Sequence, residues 1–88
     1  VNMLSSQYKK AEEQYVDAMR KVELYREQTA ETERIYSLLK TSYSADGQNF
    51  YELLRTRLMV LKFELKLEQA KANQNIAVSQ LEYLTNQK

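Results

Sequence analysis

The 88 residues contain no cysteine, no histidine, no proline and no tryptophan, and a single glycine. Without cysteine there are no disulfides, thiol nucleophiles or thiolate metal sites. Without histidine the commonest general base and the commonest zinc ligand are both missing. One glycine cannot build a phosphate-cradling loop or a dinucleotide fingerprint. A chain with no proline and one glycine has few places to turn, which excludes a multi-stranded sheet protein. Charge of one sign is missing too: 13 basic side chains stand against 12 acidic ones. Residues 1–45 carry seven of each, and residues 46–88 carry six basic and five acidic. Neither half has the basic footprint of a nucleic-acid binder, and no basic stripe marks a membrane-surface helix. The longest purely apolar run is Leu58-Met59-Val60-Leu61, far below the ~20 residues of a membrane-spanning helix. The chain opens on Val1 without a signal peptide and is expected to be a segment of a longer protein.

What is present is helical periodicity. Alternating steps of three and four from Val1 run through Leu4, Tyr8, Ala11, Tyr15, Ala18, Val22, Tyr25, Thr29, Thr32, Tyr36, Leu39 and Tyr43. All are apolar or aromatic except the two threonines. This spacing is a coiled-coil seam, because 3.5 residues per repeat keeps one stripe facing a partner. Large tyrosines alternating with alanine and threonine suggest knobs meeting holes at close interhelical distance. The charges between them form a solvated face. Asp17 with Lys21 and Lys9 with Glu13 are favourable i,i+4 pairs, whereas Glu23, Glu27 and Glu31 repel at the same spacing.

The periodicity breaks at Ser42-Tyr-Ser-Ala-Asp-Gly-Gln-Asn49, where the lone glycine sits. Asn49, followed three residues later by Glu52, has the form of a capping box, with the Asn49 side chain on the Glu52 N–H. The fold class predicted is all-α: an antiparallel two-helix coiled-coil hairpin about 60 Å long. Helix 1 covers about 2–44, a tight turn 45–48 and helix 2 about 49–86. The second helix has two apolar stripes. One runs Leu53, Thr56, Val60, Phe63, Leu67, Ala70, Gln74, Ala77, Leu81, Leu84; the other runs Leu54, Leu58, Leu61, Leu65, Ala72, Ile76, Tyr83. A hairpin buries only one of them, and so small a unit has little core. The isolated chain is therefore expected to self-associate, as a dimer forming a four-helix bundle.

The stretch from Tyr43 through Gly47 to Leu53-Leu54, the alanine-spaced helix after it and the closing Leu81-Glu-Tyr-Leu-Thr85 resemble the C-terminal coiled-coil hairpin of outer-membrane efflux proteins of the TolC type. The resemblance covers most of the chain and is strongest over 36–85. There are departures. Aligned without gaps, the family glycine falls on Asp46 and this chain places Gly47 one position later; the family's second acid corresponds to Arg55; Asn86 follows Thr85 in place of glycine.

The resemblance implies a trimeric channel, each subunit giving two hairpins to a tunnel across the periplasm below an outer-membrane β-barrel. It also implies a periplasmic adaptor as partner, with an inner-membrane pump beyond it. It places adaptor docking on Ala45, Asp46, Gly47, Gln48 and Asn49, and a tunnel constriction on Glu52 and Arg55, where an inter-subunit salt bridge could hold the throat shut. No cofactor or metal is expected, and no nucleic acid.

Two other readings are compatible with a helical hairpin. One is the α-hairpin of a periplasmic adaptor: Arg34-Ile35-x-x-Leu38 begins that pattern, but Ser42 stands where it needs glycine. The other is a generic coiled-coil tether. An enzyme is the least supported, because the carboxylates of Glu12-Glu13 and Glu31-x-Glu33 sit on ordinary solvated helix faces.

Overall fold

The computed structural model describes residues 3–86. It contains two helices and a three-residue turn. Helix α1 spans Met3–Asp46 and helix α2 spans Phe50–Thr85, and they pack side by side as an antiparallel hairpin. The longest dimension is 66 Å, which a 44-residue helix at about 1.5 Å per residue accounts for. The radius of gyration of 19.5 Å exceeds the roughly 12 Å of a compact chain of this length. The molecule is a rod.

From Leu4 to Tyr43 the seam residues of α1 are buried or half-buried except Tyr8, and Val1 lies outside the described residues. The helix buries Ala11, Ala18, Val22, Thr29 and Thr32, and α2 buries Thr56, Val60, Ala70 and Ala77. These small side chains form the floor of the interface. The tyrosines do not share it: Tyr15, Tyr25, Tyr36 and Tyr43 are half-buried and Tyr8 is exposed. Two helices give a large ring only one wall to lie against, so it stays partly in water at the seam edge. Cations cap two of these rings. The Arg57 guanidinium carbon lies 5.6 Å from the Tyr36 ring centre and Lys66 Nζ lies 5.5 Å from that of Tyr25, contacts worth about 0.5–1 kcal/mol at exposed sites.

Two of the seam threonines differ in how their hydroxyls are satisfied. Thr32 Oγ1 donates to the Gln28 carbonyl at 2.7 Å. Thr29 Oγ1 is buried and has no hydrogen-bond partner among the described residues. A buried unpaired hydroxyl costs about 1–3 kcal/mol. Thr29→Val is therefore expected to raise stability by about 1 kcal/mol, while Thr32→Val, which removes a made bond, is expected to bring no gain. Thermal unfolding of the two variants side by side checks this; equal effects would contradict it.

The outward charges pair locally. Asp17–Lys21 closes at 3.1 Å and Glu23–Arg26 at 3.5 Å. Arg34 hydrogen-bonds Glu31 at 2.7 Å. That hydrogen bond, and then the charge of Arg34, hold the Glu31 carboxyl below the usual glutamate range. Its contribution is thus present above the ordinary glutamate pKa and lost as pH falls through the lowered folded value. Both side chains are more than half exposed, so the pair is a minor one.

The turn differs from the expected one. Helix α1 continues to Asp46, and the Gly47 N–H closes its last turn on the Tyr43 carbonyl at 2.6 Å. Gly47 has φ 70°, a left-handed helix stop. Gln48 follows, and then Asn49, also left-handed at φ 68°, ψ 32°. The capping box does not form. Asn49 makes no side-chain cap bond; its carbonyl accepts the Leu53 N–H at 3.0 Å. A capping side chain needs an extended backbone at its own residue, and the left-handed conformation denies it. Asn49→Gly is therefore expected to hold stability level or raise it by up to about 1 kcal/mol. A loss of about 1 kcal/mol in thermal unfolding would show that a side-chain cap operates.

Candidate functional site

The chemistry-bearing residues fall at three places along the rod: the tip, the first turns of α2 and the outer face of α2. At the tip, the left-handed backbones of Gly47 and Asn49 hold the three-residue turn between the helix ends. Ala45, Gly47, Gln48 and Asn49 are all exposed, and Asp46 ends α1 beside them. A Cβ built on Gly47 meets nothing within 4 Å. The glycine serves the backbone conformation and leaves open space above it.

Two residues that the sequence had assigned no role belong to the same end. The Tyr43 and Phe50 rings lie 6.0 Å apart across the turn, and Tyr51 meets Phe50 edge-on at 6.0 Å. Tyr43 is half-buried, while Phe50 is 52% and Tyr51 85% exposed. The tip thus combines a polar turn with an exposed aromatic shoulder. The signal in the sequence was the adjacent pair Phe50-Tyr51: Tyr51 extends the second stripe by one step before Leu54, and Phe50 falls off both stripes of α2.

Glu52 and Arg55 lie on the first two turns of α2. Arg55 Nη2 contacts Glu52 Oε1 at 2.5 Å, an i,i+3 pair with both side chains at least half exposed. Within one chain the two charges satisfy each other along the helix. Glu52 also sits in the first turn of α2, where an acid favours the helix dipole.

The outer face of α2 carries the second stripe. Leu54, Leu58, Leu61, Leu65, Ile76 and Tyr83 are all exposed, while the first stripe is buried or half-buried from Leu53 to Leu84. At about 100° per residue the two stripes lie on roughly opposite sides of the helix. At the open end of the hairpin, a shallow groove of about 620 Å³ runs between the helices over Ala11, Ile76 and Tyr83, edged by Gln7, Gln14 and Gln80. The small alanine in the floor produces it.

Among the described residues no three acidic side chains cluster to hold a metal ion, and no described helix is long and apolar enough to cross a membrane. No family model, no curated protein and no solved structure matches the chain.

Proposed function

We propose that the chain is a periplasmic tunnel-wall hairpin of a trimeric outer-membrane efflux channel of the TolC type, and that its tip docks a periplasmic adaptor. The observation that carries the reading is the two-sided second helix. One stripe is occupied by α1, and the opposite stripe of leucines is left for a second helix. A wall helix in a closed ring of helices has two neighbours and needs two such faces. A simple tether needs only one.

The tip supports the docking half of the reading. Ala45, Gly47, Gln48 and Asn49 are small or polar and exposed, with open space above Gly47, which suits close approach of another backbone. The aromatic shoulder of Phe50 and Tyr51 adds the kind of rigid side chain that concentrates binding energy at interfaces. In the tunnel, Glu52 and Arg55 of adjacent subunits would face one another near the closed end, and their present partnership along one helix would have to be exchanged across the subunit boundary.

The test is made in the parent protein. Gly47→Trp fills the open space above the turn, and Gln48→Glu adds a charge at its apex. Each is expected to lower adaptor binding at least tenfold, about 1.4 kcal/mol, and to reduce efflux accordingly, with the channel still reaching the outer membrane. Full efflux and unchanged adaptor binding in both variants would sink the docking assignment.

A further inference from the structure

The exposed leucines of α2 have a pattern of their own. Leu54, Leu58, Leu61 and Leu65 are exposed to 47, 58, 45 and 60%, and their 4-3-4 spacing is that of a coiled-coil seam. The spacing reads the same from either end. A second α2 laid antiparallel therefore sets Leu54 against Leu65 and Leu58 against Leu61, across a two-fold axis between residues 59 and 60. The flanking charges select the same register. In an antiparallel pair, like edges of the two helices meet. Arg57 and Glu64 lie on one edge, so Arg57 of each copy faces Glu64 of the other.

The alternatives all lose the Arg57–Glu64 pairing, and the shifted antiparallel registers lose leucine contacts as well. A shift of one heptad brings either Glu64 onto Glu64 and Leu58 onto Glu68, or Arg57 onto Arg57 and Leu61 onto Tyr51. A parallel pair places Arg57 beside Lys62. In the favoured register the opposite edge brings Arg55 near Lys62, and the charge of Arg55 is already met by Glu52 at 2.5 Å on its own helix. The centre line of the outer face of α1, with Ser6, Glu13, Arg20, Glu27, Arg34 and Thr41, is polar, and the exposed Met19, Leu24, Ile35 and Leu38 beside it are interrupted by polar residues and make no continuous 4-3-4 seam.

We propose that the chain forms an antiparallel homodimer through α2, with the two-fold between residues 59 and 60 and the four helices in a row, α1–α2–α2–α1. This goes beyond the channel reading and needs neither adaptor nor tunnel.

Sedimentation equilibrium of the 88-residue chain at tens of micromolar is expected to give twice 10.4 kDa. Oxidation is expected to cross-link the Leu54→Cys/Leu65→Cys variant into covalent dimers and to leave Leu54→Cys alone uncross-linked. Within one helix the two cysteines would be about 16 Å apart, too far to join. Arg57→Glu is expected to weaken the dimer about tenfold at low salt, and Arg57→Glu/Glu64→Arg to restore it. The cation–ring contact of Arg57 with Tyr36 is lost in both variants, so the restoration reports the intermolecular pair alone. A monomeric or higher-order mass, equal cross-linking of the single-cysteine variant, or a double swap no better than Arg57→Glu would each overturn the proposal.

Discussion

Val60→Asp is expected to abolish the cooperative unfolding transition of the hairpin. Val60 is fully buried, the largest side chain to be so among the described residues. The rest of the buried apolar set along the seam is thin: Ala11, Ala18, Val22, Ala70 and Ala77. A carboxylate there has no buried cation to meet and must either remain unpaired or pull the helices apart. Burying even a neutral polar group without a partner costs about 2–7 kcal/mol, and a charge costs more. An expected loss of about 4 kcal/mol or more matches most of the stability at the lower end of the roughly 5–15 kcal/mol of folded domains, where a two-helix unit with so thin a core belongs. Leu58→Asp, two residues away on the exposed stripe, is the control. It leaves the α1–α2 seam intact and is expected to retain helicity and a cooperative melt at concentrations where the chain is monomeric. Circular dichroism with thermal melts reads both variants. A Val60→Asp hairpin that melts as the parent does would mean that the seam is not the structural core.

Glu27→Pro carries the second large effect, through the backbone alone. Glu27 is exposed near the middle of α1, so its side chain contributes nothing to the seam. Proline there removes an i→i−4 hydrogen bond and clashes with the preceding turn, costing about 3 kcal/mol or more. In a rod with one interface, a kink also lifts one half of α1 off α2. Glu27→Lys isolates the side chain from the backbone. Glu23 pairs with Arg26 and Glu31 with Arg34, and Glu27 lies between those acids with no ion pair among the described residues. Its replacement by lysine is expected to add about 0.2–0.5 kcal/mol per relieved pair. A proline variant less than about 1 kcal/mol below the parent in chemical unfolding would contradict a continuous helix at this position.

The hairpin itself was legible because the seam is strict. A 3-4 repeat from Leu4 to Tyr43 and another from Leu53 to Leu84 determine which faces meet, and one glycine between them determines where the chain reverses. The exposure of Leu58 and Leu65 was legible for the same reason, since one partner helix covers one stripe. The turn chemistry was not. Asn is a good N-cap and also the residue after glycine that best tolerates a left-handed backbone, so Asn49-x-x-Glu52 fits both descriptions. Only the backbone angles separate them. The half-burial of the tyrosines also escaped the pattern, which marks the side a residue faces and not how many walls surround it. Phe50 and Tyr51 were missed because they lie at the helix start, Phe50 outside both stripes and Tyr51 one step ahead of the Leu54 at which the second stripe was begun. The proposed partner of the tip is not encoded in any periodicity. It rests on a resemblance in the turn and in Leu81–Thr85, and on the open polar geometry at Gly47.

The most direct measurement is photocrosslinking in living cells from a photoreactive residue at position 48 of the parent protein, with a second probe at position 58 and mass spectrometry of what each captures. The efflux-channel reading predicts a periplasmic adaptor at position 48 and neighbouring copies of the same protein at position 58. Neighbouring copies alone at both positions, or no capture from the tip, would contradict it and leave a self-associating structural hairpin.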